Sequence, residues 1–149
     1  MIHRYLDVFR SFERHDVKYL IIGGIAAIIH GVPRMTFDLD ILIEATHDNA
    51  RRLLDALDEA KFGTASLTTP ENLLAMEIVV FDDRVRIDVQ TATPGLVFVE
   101  AWARRQRASF GDTEFYVVSR EDLLSSKRAA GRPIDLDDIR ALEAGQAEA

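Results

Sequence analysis

Between Lys18 and Glu44 the chain runs Lys-Tyr-Leu-Ile-Ile-Gly-Gly-Ile-Ala-Ala-Ile-Ile-His-Gly-Val-Pro-Arg-Met-Thr-Phe-Asp-Leu-Asp-Ile-Leu-Ile-Glu. Few folds accept that order. Tyr19 to Ile22 is a short apolar run that stops at Gly23-Gly24, as a buried strand does. Ile25 to His30 has the length of one or two helical turns pinned between strands. Gly31, Val32 and Pro33 end it, because proline biases the residue before it away from the helical region. From Arg34 the pattern alternates. Phe37, Leu39, Ile41 and Ile43 take one face, and Arg34, Thr36, Asp38 and Asp40 take the other.

Aspartate is depleted in strands, so two of them on one face of an apolar strand call for a reason. Carboxylates that close raise each other's pKa unless a cation lies between them. A hard divalent ion supplies that cation, and Mg²⁺ takes one or two carboxylates together with substrate phosphates. Mn²⁺ suits the same oxygen ligands. Gly23 and Gly24 supply the other half, since glycine lets a backbone approach a phosphate closely. Alone, a Gly-Gly is a turn and an Asp-x-Asp is an edge strand or a cap. Their order, with a third strand aspartate downstream, points to a nucleotide site.

The rest of the chain supplies the frame. A length of 149 residues with 48% hydrophobic and 29% charged residues suits one globular domain over residues 1–149, burying about 68–70% of its unfolded surface. The absence of cysteine excludes disulfides and cysteine-based zinc sites. No apolar run reaches the roughly 18 residues of a membrane span. Met1-Ile2-His3-Arg4 lacks the apolar core of a signal peptide, so no membrane partner and a cytoplasmic location are expected. A net charge of −7 argues against broad nucleic-acid binding, which needs a basic face.

Tyr5, Phe9 and Phe12 sit at helical spacing, so residues 1–14 read as an amphipathic helix on the sheet. Thr46 or Asp48 caps a helix to about Ala60, with Leu53, Leu54, Leu57 and Ala60 inward and Gly63 as its C-terminal stop. Thr64 to Asn72 reads as a loop. Glu77 to Gln90 reads as a hairpin turning at Asp82-Asp83, with Val80 opposite Val85 and Ile78 opposite Ile87 on the core face. Asp88 then falls on the other face with Arg84, Arg86 and Gln90, as a third carboxylate or as a surface partner of Arg86. Pro94 to Ser109 reads as a helix whose arginines, Arg104, Arg105 and Arg107, form either a solvated end or a contact for an RNA backbone. Phe115 to Val118 is a last strand. Ser119, with Asp122 three residues on, caps a helix. Gly131-Arg132-Pro133 breaks it, Asp135 to Leu142 forms another, and residues 145–149 are a tail. The helical C-terminal part spans about 119–144.

A strand, Gly-Gly, a short helix, Asp-x-Asp and a later strand aspartate resemble the DNA polymerase β nucleotidyltransferase superfamily. The string His-Gly-x-Pro-Arg-x-Thr-x-Asp-Leu-Asp, His30 to Asp40, and the stretch from Asp122 to Ile139 look like its AbiEii-like branch of small toxin nucleotidyltransferases. The resemblance implies an α/β fold: a mixed sheet of about four or five strands with helices mainly on one face. It implies Mg²⁺ or Mn²⁺ held by Asp38, Asp40 and Asp88, with Asp88 able to act as the base for an attacking hydroxyl. It implies a nucleoside triphosphate on Gly23 and Gly24, with Lys127 near its phosphates, Asp135 and Asp138 holding the site, and Arg34 and Thr36 as further contacts. Its chemistry would move an NMP from an NTP to a hydroxyl on RNA or protein. The biological role would be the toxin of a toxin–antitoxin pair, with a cognate antitoxin as partner. Two departures stand out: Gly24 replaces the serine often found there, and the Lys…Thr-x-Arg motif of longer toxins is missing after Asp40. A degenerate relative, binding nucleotide or a partner as an antitoxin or regulator, is the alternative. A metal phosphohydrolase using Asp-x-Asp fits less well, because Ile41 to Ile43 continue the strand past the pair.

Overall fold

The computed structural model describes residues 1–148. Its centre is a six-stranded mixed sheet in the order β3-β4-β2-β1-β6-β5, so the fold is α/β with one more strand than the upper figure expected. The strands are β1 (Tyr19–Ile22), β2 (Asp38–Ile43), β3 (Ile78–Asp82), β4 (Arg86–Gln90), β5 (Gln106–Phe110) and β6 (Thr113–Val117). β1 runs antiparallel to β2 and parallel to β6. β2 runs parallel to β4, which β3 extends as an antiparallel edge.

The opening helix α1 (Leu6–Arg14) follows a 3₁₀ turn at Ile2–Tyr5. Tyr5, Val8, Phe9 and Phe12 are all buried, as their spacing requires. Phe9 stacks on Phe115 with ring centres 4.8 Å apart, and Phe12 meets Tyr19 at 4.8 Å. α3 (His47–Glu59) begins at Thr46, whose hydroxyl accepts from the backbone N–H of Asn49. Its stripe of Leu53, Leu54 and Leu57 is buried. The left-handed residue that ends it is Lys61, with φ 69°, not Gly63, which starts a 3₁₀ turn. The expected loop over 64–72 therefore holds that turn and a short helix, α4 (Pro70–Leu74), capped by Thr69.

Three further expectations change. Val80 lies opposite Asp88 and Ile78 opposite Gln90, so the hairpin turns through three residues, Asp83 to Val85. The buried row is instead Phe81, Ile87 and Val89, and Ile78 and Val80 share the carboxylate face, because the register is shifted by three residues and any odd shift moves the strand's side chains to the opposite face. Phe37 is 70% exposed, since β2 starts only at Asp38; the Phe37 carbonyl accepts from the Tyr5 hydroxyl at 2.9 Å. The helix expected over 94–109 is only α5 (Phe98–Ala103). Beyond it, Gln106 to Phe110 pairs with β6 across the Gly111-Asp112 turn. That strand is polar and largely exposed, so tertiary pairing, not its own pattern, decides its state.

α2 (Gly23–Ile29) follows β1 without a linker. α6 (Arg120–Ala130) starts at Ser119, whose hydroxyl accepts from the N–H of Asp122. Gly131 ends it with φ 63°, and α7 (Pro133–Glu148) returns against it. The tail expected from 145 is helical to Glu148, and Ala149 lies outside the described residues. Among the described residues, no helix is long and apolar enough to cross a membrane.

Candidate active site

Parallel pairing of β2 with β4 sets Asp40 directly beside Asp88, and Asp38 beside Arg86. Paired residues share a sheet face, so these four side chains stand together, while Leu39, Ile41, Ile87 and Val89 fill the core on the other side. Burial, then the charge and hydrogen bonding of Asp88, then the charge of Asp38, push the Asp40 carboxyl up to about 7. Like charge beside a half-buried carboxyl disfavours its ionised form.

Antiparallel pairing of β1 with β2 places Ile22 opposite Asp40. The next residue, Gly23, has φ 67°, and a Cβ there would run into the Asp40 carboxylate. Glycine is needed twice over, for the backbone angle and for the space. A Cβ on Gly24 would stand 3.0 Å from the Thr36 hydroxyl and 3.1 Å from the Arg34 guanidinium. Gly23→Ala should therefore destabilise the protein by more than about 1 kcal/mol, and Gly24→Ala by less, because only side chains must shift. Thermal unfolding of the two variants checks that order.

Behind the glycines lies a buried ion network. The Arg34 guanidinium donates twice to Asp138, at 2.8 Å each. Lys127, on α6, approaches the same carboxylate at 2.7 Å and Asp135 at 3.6 Å. Asp135 also accepts from the side chain and the backbone N–H of Arg132 at 2.7 and 3.1 Å, reaching back from α7 as the acidic half of a capping box does. Lys127, Asp135 and Asp138 are all buried. Burial works against the charge on both carboxyls; the arginines and Lys127 outweigh it and hold both below the usual range.

Part of this arrangement opens on one cleft of about 280 Å³, lined by Gly23, Asp40, Asp88, Lys127, Arg132 and Asp135 among others. Lys127 shares that cleft with Gly23 although the sequence separates them widely. Three cations, Arg34, Lys127 and Arg132, face two carboxylates, Asp135 and Asp138, which leaves one positive charge in the network. Arg132, exposed and close enough to act on Asp40, is the site cation that sequence reasoning missed; its signal was the Gly-Arg-Pro break between two helices.

The pairing of Asp88 with Arg86, the alternative reading of that aspartate, is present, and Arg86 reaches Asp38 too. Its Nε stands 3.0 Å from Asp88 and 3.9 Å from Asp38, so an internal cation bridges those two carboxylates. Among the described residues, no three His, Asp or Glu side chains are grouped to hold a metal ion. The donors that do adjoin, Asp40 and Asp88, are hard oxygens with an unsettled charge, and in chemistry they fit Mg²⁺ or Mn²⁺. The arginines considered for RNA contact are engaged internally. Arg104 forms a double hydrogen bond with Asp122 at 2.9 and 3.0 Å, Arg105 lies over Trp102 at 4.0 Å, and Arg107 approaches Glu114 at 3.6 Å.

A glycine turn thus lies against paired strand carboxylates on a mixed α/β sheet. A family model described as "Nucleotidyltransferase of unknown function (DUF6036)" matches residues 4–144. The chain belongs to that family. No curated protein matches it.

Proposed function

We propose that this protein is a metal-dependent nucleotidyltransferase that moves an NMP from an NTP to a hydroxyl on RNA or protein. The observation that carries the reading is the Asp40–Asp88 pair, set side by side across parallel strands against the Gly23 backbone in a cation-rimmed cleft. Asp38, Asp40 and Asp88 would hold Mg²⁺ or Mn²⁺, which supplies charge stabilisation to the attacking and leaving oxygens of an in-line displacement. Arg86 would swing off Asp38 and Asp88 to admit it.

The chain's own residues do the rest. Gly23 and Gly24 let the triphosphate lie against the backbone, with Arg34 and Thr36 beside them. Arg132 and Lys127 neutralise it, while Asp135 and Asp138 fix those cations in place. The acceptor oxygen attacks the α-phosphorus, the bond to pyrophosphate breaks, and the acceptor proton passes to an Asp88 oxygen. The strings His30–Asp40 and Asp122–Ile139 support an AbiEii-like assignment, hence a toxin with a cognate antitoxin, working in the cytoplasm.

The test incubates the protein with each α-labelled NTP, Mg²⁺ and either total RNA or cell lysate. Label carried into RNA or protein by the wild type, and not by Asp88→Asn, is the expected result. Binding of NTP with no transfer to any acceptor would favour the degenerate, regulatory reading instead.

A further inference from the structure

The cleft extends past the carboxylates. Gln90 stands two residues beyond Asp88 on β4 and on the same face, about 7 Å along the strand. Gly23 lies on the opposite side of the pair, because β1 runs against β2. Glycine turn, carboxylates and Gln90 thus follow one another along a line. On the transfer reading, which this inference rests on, phosphates take the glycine side and the α-phosphorus sits at the carboxylates. Ribose and base then extend to Gln90.

That end of the cleft is built to receive a flat, partly polar group. Ile78, 49% exposed, lies opposite Gln90 on the edge strand. Pro94 and Ala130 give further apolar lining. The Thr93 hydroxyl donates to the Gln90 side-chain oxygen at 2.6 Å. Thr93 opens a tight turn closed by the Leu96 N–H bonding to the Thr93 carbonyl at 3.1 Å, with Pro94 second and Gly95 third at φ 81°, the pattern of a type II turn. A Cβ on Gly95 would come 2.7 Å from the Ser125 carbonyl on α6, so the turn is pressed onto that helix and Thr93 is held in place. Gln90 lines the cleft, and with its oxygen engaged its amide N–H donors are what it has left to offer there. That nitrogen has no protein partner among the described residues and is not among the enclosed unsatisfied atoms.

We propose that Gln90, oriented by Thr93, reads the nucleobase of the bound NTP and selects uracil or guanine over adenine. Amide donors complement the keto oxygen at O4 of uracil or O6 of guanine. At that place adenine and cytosine carry an amino group, which faces another donor.

Binding of ATP, GTP, CTP and UTP to the full chain with Mg²⁺, followed by calorimetry, tests this without turnover. The wild type should bind UTP and GTP about tenfold tighter than ATP, the span of one well-made hydrogen bond. Gln90→Ala should bring the ATP-to-UTP ratio of Kd values close to one, mostly by weakening UTP. Thr93→Val should lower the ratio in part, because the amide is then free to turn. Gln90→Glu, which replaces the donor with an acceptor, should reverse the order. If Gln90→Ala weakens all four triphosphates equally, or none, base reading by Gln90 is overturned while the transfer reading stands. If the wild type binds no triphosphate, both are overturned.

Discussion

Asp40→Asn is expected to abolish transfer and, above about pH 7, to raise the melting temperature. The Asp40 carboxyl titrates at about 7 in the folded protein, raised by burial and by Asp88 and Asp38, against roughly 3.9 in an unfolded chain. A carboxyl with a raised folded pKa favours folding while it stays protonated. Its ionisation therefore carries no cost below about pH 4, a growing cost as pH rises, and the full cost above about 7. Asparagine keeps the shape, can donate to Asp88 and carries no charge. The variant should gain on the order of 2 kcal/mol at pH 8, or roughly 5 °C for a chain of this size, and almost nothing at pH 4. Thermal melts from pH 4 to 8 check the sign and the window. Mg²⁺ with NTP should raise the wild-type midpoint by mass action and move the variant much less. A variant that melts lower at pH 8 and keeps the full Mg²⁺-NTP shift would show that Asp40 is structural and would remove the centre of the proposed site.

How far the sequence reaches depends on which physics each element rests on. β1, the glycine turn and β2 were legible because period, glycine position and the Asp-x-Asp exception all agree within a stretch of 27 residues from Lys18 to Glu44. Ser119 and Thr46 were legible as caps because a capping hydroxyl needs only the backbone three residues on. The β3–β4 register was not. Asp82-Asp83 suits a two-residue turn as well as a longer one does, and only packing of Phe81 into the core settles it. β5 was illegible for a related reason: its residues carry no alternation, and its partner strand defines it. Within the site, the residues on one strand face were readable from periodicity. The bridge from Arg86 to Asp38 was not, since it depends on β2 and β4 becoming neighbours. Nor was the joint grip of Arg34 and Lys127 on Asp138, which links loop, α6 and α7 across a hundred residues.

That grip sets the largest stability effect to be expected from one substitution outside the core. Asp138 is 1% exposed and is the shared anion for Arg34 and Lys127. Asp138→Ala leaves Lys127, itself 4% exposed, with only Asp135 at 3.6 Å, and leaves the Arg34 fork without an acceptor. Removing one partner of a buried ion pair costs about 3–5 kcal/mol, because the remaining charge is stranded out of water. Urea unfolding should show a loss in that range with an unchanged slope. The pH dependence supplies a signature. The Asp138 carboxyl is held below its ordinary range by Arg34 and Lys127, against its burial. It therefore contributes stability above the ordinary carboxylate pKa and gives it up as pH falls through the lower folded one. The gap between wild type and Asp138→Ala should thus be widest near neutrality and shrink in acid. Lys127→Met with Asp138→Leu, which removes buried charges of opposite sign and fills the space, should recover part of the loss. Recovery of stability without recovery of NTP binding would separate the two duties of the network, holding α6 to α7 and presenting positive charge to the cleft. A loss at Asp138→Ala of under about 1 kcal/mol would instead mean that the network behaves as a surface ion pair and does not hold the glycine turn in place.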